Sequence, residues 1–206
     1  EEDITHEYAK TYHIVGIDLG IKSLVTTSSF ESYGNVSSLK KHEKRIAILQ
    51  QKLAKKEKNS KNYNKIKMKL ERAYLRLANS RKKQAEEIVS KLLKENDYIV
   101  AENLQVSKMI TESSSKSLRK NIIHSTFSLI LTKLRKKCLW ENKRFIQVNT
   151  YFLSSQLCSC CGYRNKEMKD LKLREYKCSE CGNILDRDIN ASLNILNEGI
   201  KMAFGL

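Results

Sequence analysis

No proline occurs anywhere in the 206 residues, so the commonest punctuation of loops is missing. No long apolar run occurs either, which excludes a membrane-spanning helix, and no signal pattern opens the chain. No internal repeat appears beyond one duplicated cysteine motif. Acids are scarce: 23 Asp+Glu stand against 39 Lys+Arg, for a net charge of +16. That imbalance points to a polyanion as partner, and without a membrane segment it favours nucleic acid over a membrane surface. The length suits one ordinary domain with a small appendage. The chain opens on Glu1 and reads as a piece of a longer protein.

Four of the six cysteines form two Cys-x-x-Cys-Gly knuckles, Cys158/Cys161 and Cys178/Cys181, separated by a polar, basic linker. The glycine after each knuckle, Gly162 or Gly182, permits the backbone turn that aims two thiolates at one ion. Four sulfurs then make a tetrahedral, structural zinc site, and the spacing is that of a zinc ribbon. A redox or disulfide pair is the alternative. Cys160 is a spare thiol beside Cys161. Metal-type cysteines suit a reducing, cytoplasmic compartment.

Five residues after the last knuckle, Asp186-Arg187-Asp188 leads into a helical run, Ile189 to Ile200, with Leu193, Ile195, Leu196 and Ile200 on its apolar side. A carboxylate is favoured at that end by the helix dipole, and one of the two aspartates can also serve as a cap. Earlier, His13–Leu19 and Ser23–Ser29 read as a hairpin turning near Gly20, with a weak third strand at Ser32–Val36. Asp18 lies inside a buried-type strand, where an ionised carboxylate needs a cation or a partner.

Residues 38–96 are the most basic stretch. Apolar positions at helical spacing (Ile46, Leu49, Leu53, then Tyr63, Ile66, Leu70, Tyr74, Leu77, Ile88, Leu92) predict two helices broken at Lys58-Asn59-Ser60. Their outer faces carry Lys and Arg with few acids between, which favours phosphate-backbone contact over a merely solvated face. Asp97–Leu104 reads as another strand, ending in Glu102, and Lys108–Lys120 as a mobile loop. Asn121–Glu141 reads as one amphipathic helix carrying Ile122, Ile123, Phe127, Ile130, Leu131, Leu134 and Cys138. Cys138 and Trp140 are expected to pack, and Arg144–Val148 to form a strand.

The order hairpin, helical insertion, strand, helix, strand, helix is an α/β arrangement compatible with an RNase H-like fold. Asp18, Glu102 and Asp188 then fall at the ends of separate elements. Either they are unrelated surface acids, or they converge into a cluster that only divalent cations stabilise. Oxygen-only donors select Mg²⁺ or Mn²⁺, two of which, about 4 Å apart, activate water and stabilise the leaving oxygen in phosphodiester cleavage.

The stretches VGIDLGIKSL, KNSKNYNKIKMKLERAYLRLANSR, YIVAENLQVSKMI, the knuckle segment and DRDINASLNILNEG together resemble the carboxyl-terminal, catalytic part of the TnpB (OrfB) family encoded by insertion sequences, itself similar to compact type V CRISPR effectors. The resemblance runs from about Ile14 to Gly199. It implies a split RuvC-like endonuclease with catalytic acids at Asp18, Glu102 and Asp188, a target-nucleic-acid-binding zinc ribbon, and DNA and guide RNA as partners of the full-length parent. By that likeness residues 1–37, 97–153 and 185–206 are nuclease segments, 38–96 a basic, bridge-helix-like insertion, and 154–184 the ribbon. Asp188 rather than Asp186 matches the family acid because it precedes x-Asn-Ala. The sequence departs from the family at Leu153, where a proline is usual, at Cys160, and in having no counterpart of the amino-terminal half, so guided cleavage is expected of the parent. The competing reading is a non-cleaving nucleic-acid-binding module using only the ribbon and the basic helices.

Overall fold

The computed structural model describes residues 12–34, 37–113, 115–170 and 172–205. Alternating β-branched and small residues build β1 (Ile14–Asp18), β2 (Ser23–Thr27) and β3 (Ser32–Gly34). A helical hairpin follows, α1 (Ser37–Ala54) and α2 (Lys61–Glu95), then β4 (Tyr98–Glu102). After α3 (Val106–Glu112), α4 (Lys116–His124) and α5 (Phe127–Trp140) comes β5 (Arg144–Val148). A small two-stranded unit, β6 (Glu175–Lys177) and β7 (Ile184–Asp186), leads into α6 (Arg187–Phe204).

Five strands form one mixed sheet in the order β3-β2-β1-β4-β5, and β6 pairs with β7 apart from it. Neighbours β1 and β4 run parallel, with Ile14 opposite Tyr98 and Ile17 opposite Ala101, and β4 and β5 are parallel too. Side chains alternate faces along a strand. Val15, Ile17, Ile99 and Ala101 therefore bury into a core shared with Val89, Leu92, Phe127, Ile130 and Leu134 of α2 and α5. Ile14 and Val100 point the other way and pack with Ile195 of α6. The sheet is thus sandwiched, with α6 on the second face of β1 and β4. A Cβ on Gly16 would stand 2.3 Å from the Ser192 carbonyl oxygen, so only glycine lets α6 approach β1 this closely.

The interruption expected at Lys58–Ser60 is present. Ser60 caps α2 by accepting from Tyr63 N at 3.1 Å, and Ile46 and Leu49 bury against Ala73 and Leu77. Three expectations fail. Lys108–Lys120 is not an open loop: apart from residue 114, which is outside the described residues, it holds the end of α3 and the start of α4. Two of its serines are caps, Ser113 Oγ donating to Met109 O at 2.7 Å and Ser115 Oγ accepting from Leu118 N at 3.0 Å. The single helix expected over Asn121–Glu141 is two, because Thr126 adopts a left-handed conformation (φ 60°) and Ser125 folds back onto Ile122 O. The expected third strand is present over Ser32–Gly34, and residues 35 and 36 of it lie outside the described set. Cys138 is buried as expected, whereas Trp140 is 80 % exposed.

Candidate active site and metal centre

The alternation that buries Val15 and Ile17 on one face turns Asp18 to the other, toward α6, and the same rule turns Glu102 there from β4. Both acids end their strands. Since Ile17 lies opposite Ala101 in a parallel pair, the next residues along are Asp18 and Glu102, side by side on neighbouring strands about 4.8 Å apart. The third acid arrives on α6, whose first turn carries Asp188. Its Oδ2 lies 3.9 Å from the position of a Cβ built on Gly20, just beyond the end of β1.

All three carboxylates line one cavity of about 580 Å³, together with Lys22, Ser154, Arg174 and Arg187. Removal from water pushes the Asp18 carboxyl up to about 8, and the charges of Glu102 and then Asp188 push it the same way, against Arg187. Burial also raises Glu102, whose Oε1 accepts a hydrogen bond from the Ser154 hydroxyl that partly opposes the rise. Asp188 is raised by burial and by Asp186, and lowered by Arg174, Arg187 and Lys22. Three acids whose ionisation burial opposes thus meet in one concave site, and their oxygen-only donor set is of the kind that could hold a divalent cation.

Asp186 does a different job. It caps α6, its Oδ1 accepting from Asp188 N at 2.8 Å and Ile189 N at 3.3 Å. Arg187, between the two acids, is buried at 7 % exposure, and its Nη1 donates to Asp170 O at 2.7 Å.

The pH response of the metal-free site follows from Asp18. In the unfolded chain its carboxyl titrates near 4 and in the folded chain near 8. Unfolding therefore releases a proton across that window, and stability falls as pH rises through it. Asp18→Asn cannot ionise and escapes this loss. In buffer free of Mg²⁺ but with zinc retained, the variant should gain on the wild type by roughly 1–3 kcal/mol between pH 5 and 8, measured by urea unfolding.

The four knuckle cysteines meet at a second centre. Their sulfurs lie within 4.8 Å of one another and could hold a metal ion. Cys158 and Cys181 Sγ are 3.6 Å apart, Cys161 and Cys178 3.5 Å. A disulfide needs about 2.05 Å, whereas sulfurs around tetrahedral zinc at about 2.3 Å lie roughly 3.8 Å apart, so the donors fit an ion rather than disulfides. The knuckles share one backbone pattern, Cys158 N bonding Tyr163 O and Cys178 N bonding Asn183 O. The expected freedom at Gly162 and Gly182 is used, at φ 76° and 71°. Cys160 stands outside the cluster and is exposed.

Sequence reading missed Ser154, Arg187, Asn190 and Asn194, all buried polar residues around the two centres. Asn190 and Asn194 share a helical face; the sequence marks Asn190 only as part of the x-Asn-Ala motif after Asp188, and the packing reveals what both amides hold.

Among the described residues, no helix is long and apolar enough to cross a membrane. Residues 127–195 match the family model described as Cas12f1-like, TNB domain. Over 97 % of its length the chain is 32 % identical to a Streptomyces pristinaespiralis protein named "Putative RNA-guided DNA endonuclease", and 28 % identical to InsQ of Escherichia coli, which carries the same description. It spans about half the length of each, 48 % and 52 %. A TnpB-like protein of Methanocaldococcus jannaschii, MJ0751, is 26 % identical over 90 % of the chain and 69 % of its own length. Among solved structures the fold resembles that of Cas12f1 in its complex with sgRNA and target DNA, at TM-score 0.61 and 24 % identity over 92 % of this chain and 51 % of that one. It also resembles the mini-RNA-guided endonuclease CRISPR-Cas_phi3, at TM-score 0.60 and 15 % identity over 91 % and 44 %. Residues 1–113, more than half of the 206, match the model of the OrfB_IS605 family, described as probable transposase, and the chain belongs to that family.

Proposed function

We propose that this chain is the catalytic part of a TnpB-type, RNA-guided DNA endonuclease, with a RuvC-like (RNase H-like) fold interrupted by a basic helical hairpin and a zinc ribbon. The observation that carries the reading is the cavity lined by Asp18, Glu102 and Asp188, acids 84 and 86 residues apart in sequence. The sheet order, with β1 antiparallel to β2 and parallel to β4, suits that fold. The names of the relatives supply the reaction class.

The three carboxylates, Asp18, Glu102 and Asp188, would hold two Mg²⁺ or Mn²⁺ ions. When bound, such ions polarise the scissile phosphate and supply hydroxide from water near neutral pH. The chain's own residues set the geometry. Ser154 orients Glu102, the Asp186 cap fixes the first turn carrying Asp188, and Lys22 and Arg174 keep part of the cavity wall positive for a phosphate. Cys158, Cys161, Cys178 and Cys181 hold one structural zinc.

Exposed lysines and arginines on α1 and α2 grip nucleic acid through phosphates. Reversing Lys65, Lys69, Arg72 and Arg76 should weaken binding to all sequences alike and flatten the fall of affinity with salt, each phosphate contact contributing a slope of about −0.9. Unchanged affinity across a salt titration would make the charges plain surface. The deciding experiment for the whole reading is cleavage of a matching DNA by the parent protein assembled with its RNA in Mg²⁺. A complex that binds target and never cuts would make the chain a binding module.

A further inference from the structure

The acidic cavity and the cysteine centre are joined by a continuous run of hydrogen bonds. Glu102 Oε1 accepts from the Ser154 hydroxyl. The Ser154 carbonyl accepts from Asn194 Nδ2 at 2.8 Å, and the same amide donates to Leu157 O at 2.7 Å. Leu157 O also accepts from Asn190 Nδ2 at 2.7 Å, while Asn190 Oδ1 accepts from Ser159 N at 3.0 Å. Two carboxamides, i and i+4 on one face of α6, therefore grip the backbone from Ser154 to Ser159, and Cys158 lies inside that grip.

These partners leave little slack. Asn190 is wholly buried, Asn194 6 % exposed and Ser154 5 % exposed. A buried amide that has lost its partner costs its full desolvation, so the segment has one favoured register on the helix. Asp188 rides on the same helix, two residues before Asn190. The separation of Glu102 from Asp188 is thus set twice, once through the sheet and once through Ser154 and Asn194.

We infer that Ser154, Asn190 and Asn194 are positioning residues that couple the folding of the cysteine module to the cation affinity of the acidic cavity. The inference rests on the nuclease reading above for the meaning of that cavity. With the knuckle folded around its ion, the peptides flanking Cys158 point their carbonyl and amide at the carboxamides, and Ser154 is held under Glu102. With the knuckle loosened, Leu157 O and Ser159 N leave their partners, Ser154 loses its anchor, and the Glu102 carboxylate is no longer aimed. Groups that orient metal ligands at one remove change affinity by about 10–100-fold.

The test titrates this chain with Mn²⁺, followed by electron paramagnetic resonance, in wild type, Ser154→Ala, Asn190→Ala and Asn194→Ala, with helix content and zinc measured for each. The alanine variants should bind Mn²⁺ about 10–100-fold more weakly at unchanged helix content, Ser154→Thr should restore the affinity through its hydroxyl, and zinc-stripped wild type should resemble the variants. In the guided parent the same changes should raise the Mn²⁺ concentration needed for half-maximal cleavage by a similar factor, with the rate recovering at saturation. Mn²⁺ affinity within twofold of wild type in both Ser154→Ala and Asn194→Ala overturns the coupling, even if the parent cuts DNA. Weakened Mn²⁺ binding in a parent that never cuts leaves the coupling standing and removes the nuclease reading instead.

Discussion

Replacing Asp18, Glu102 or Asp188 by alanine in the guided parent should reduce DNA cleavage at least about a thousandfold, the scale on which loss of one member of a catalytic set is felt. Target binding should stay within a few fold of wild type. The reasoning is electrostatic. Asp18 ends β1 with its carboxyl pushed up to about 8 by burial and by its acidic neighbours, an arrangement that is costly unless cations are held there. Removing any one acid relieves the repulsion but takes away a buried oxygen donor: of the other charged lining groups Lys22, Arg174 and Arg187 are cations, and Glu112 is exposed and paired with Lys108 at 3.8 Å. The basic helices lie elsewhere in the sequence and keep their charges, so binding survives.

Asp186→Ala is the control within the same motif. Its carboxylate is committed to the backbone amides of Asp188 and Ile189. Losing such a cap costs about 1 kcal/mol of helix stability. The cleavage rate should therefore fall less than tenfold, measured side by side with Asp188→Ala. A parent that cuts normally without the Asp188 carboxylate but fails without that of Asp186 would reverse the assignment.

Much of this arrangement is legible in the sequence because the strands obey period two. In HIVGIDL and DYIVAEN the apolar alternation alone says that Asp18 and Glu102 stand on the face opposite Val15, Ile17, Ile99 and Ala101. The knuckles are legible for a similar reason: ligand geometry dictates spacing. What sequence does not give is the use made of small polar residues. Ser113, Ser115 and Thr126 suit loops and helix ends alike, and only their bonds or backbone angles show two short helices and a break where one loop and one long helix are expected. Asn190 and Asn194 fail to declare themselves because their partners are backbone atoms, which carry no residue signature. Trp140 fails the other way: it is apolar by type yet exposed, and nothing in the structure covers it among the described residues.

Cys178→Ser should release the zinc and unfold the module from Leu157 to Asp186 while the five-stranded sheet stays folded. The module's own apolar core is Cys158, Met168, Tyr176 and Cys178, too small a set to hold a fold without its ion. In such sites metal binding and folding are one transition, with roughly 10 kcal/mol or more drawn from the ion. Elemental analysis should find zinc falling from one per chain to near none, and limited proteolysis should open the linker around Lys172 in the variant only. The two knuckles should respond unequally to thiol loss. Cys161→Ser leaves the exposed thiol of Cys160 one residue away, able to swing in as a substitute, whereas no further cysteine adjoins Cys178 or Cys181 in the second knuckle. Zinc retention should thus be partial in Cys161→Ser and lost when Cys160 is also replaced. Equal retention in Cys161→Ser and Cys181→Ser would show that Cys160 never acts as a ligand, and full zinc-free folding of Cys178→Ser would show that the four sulfurs do not depend on an ion.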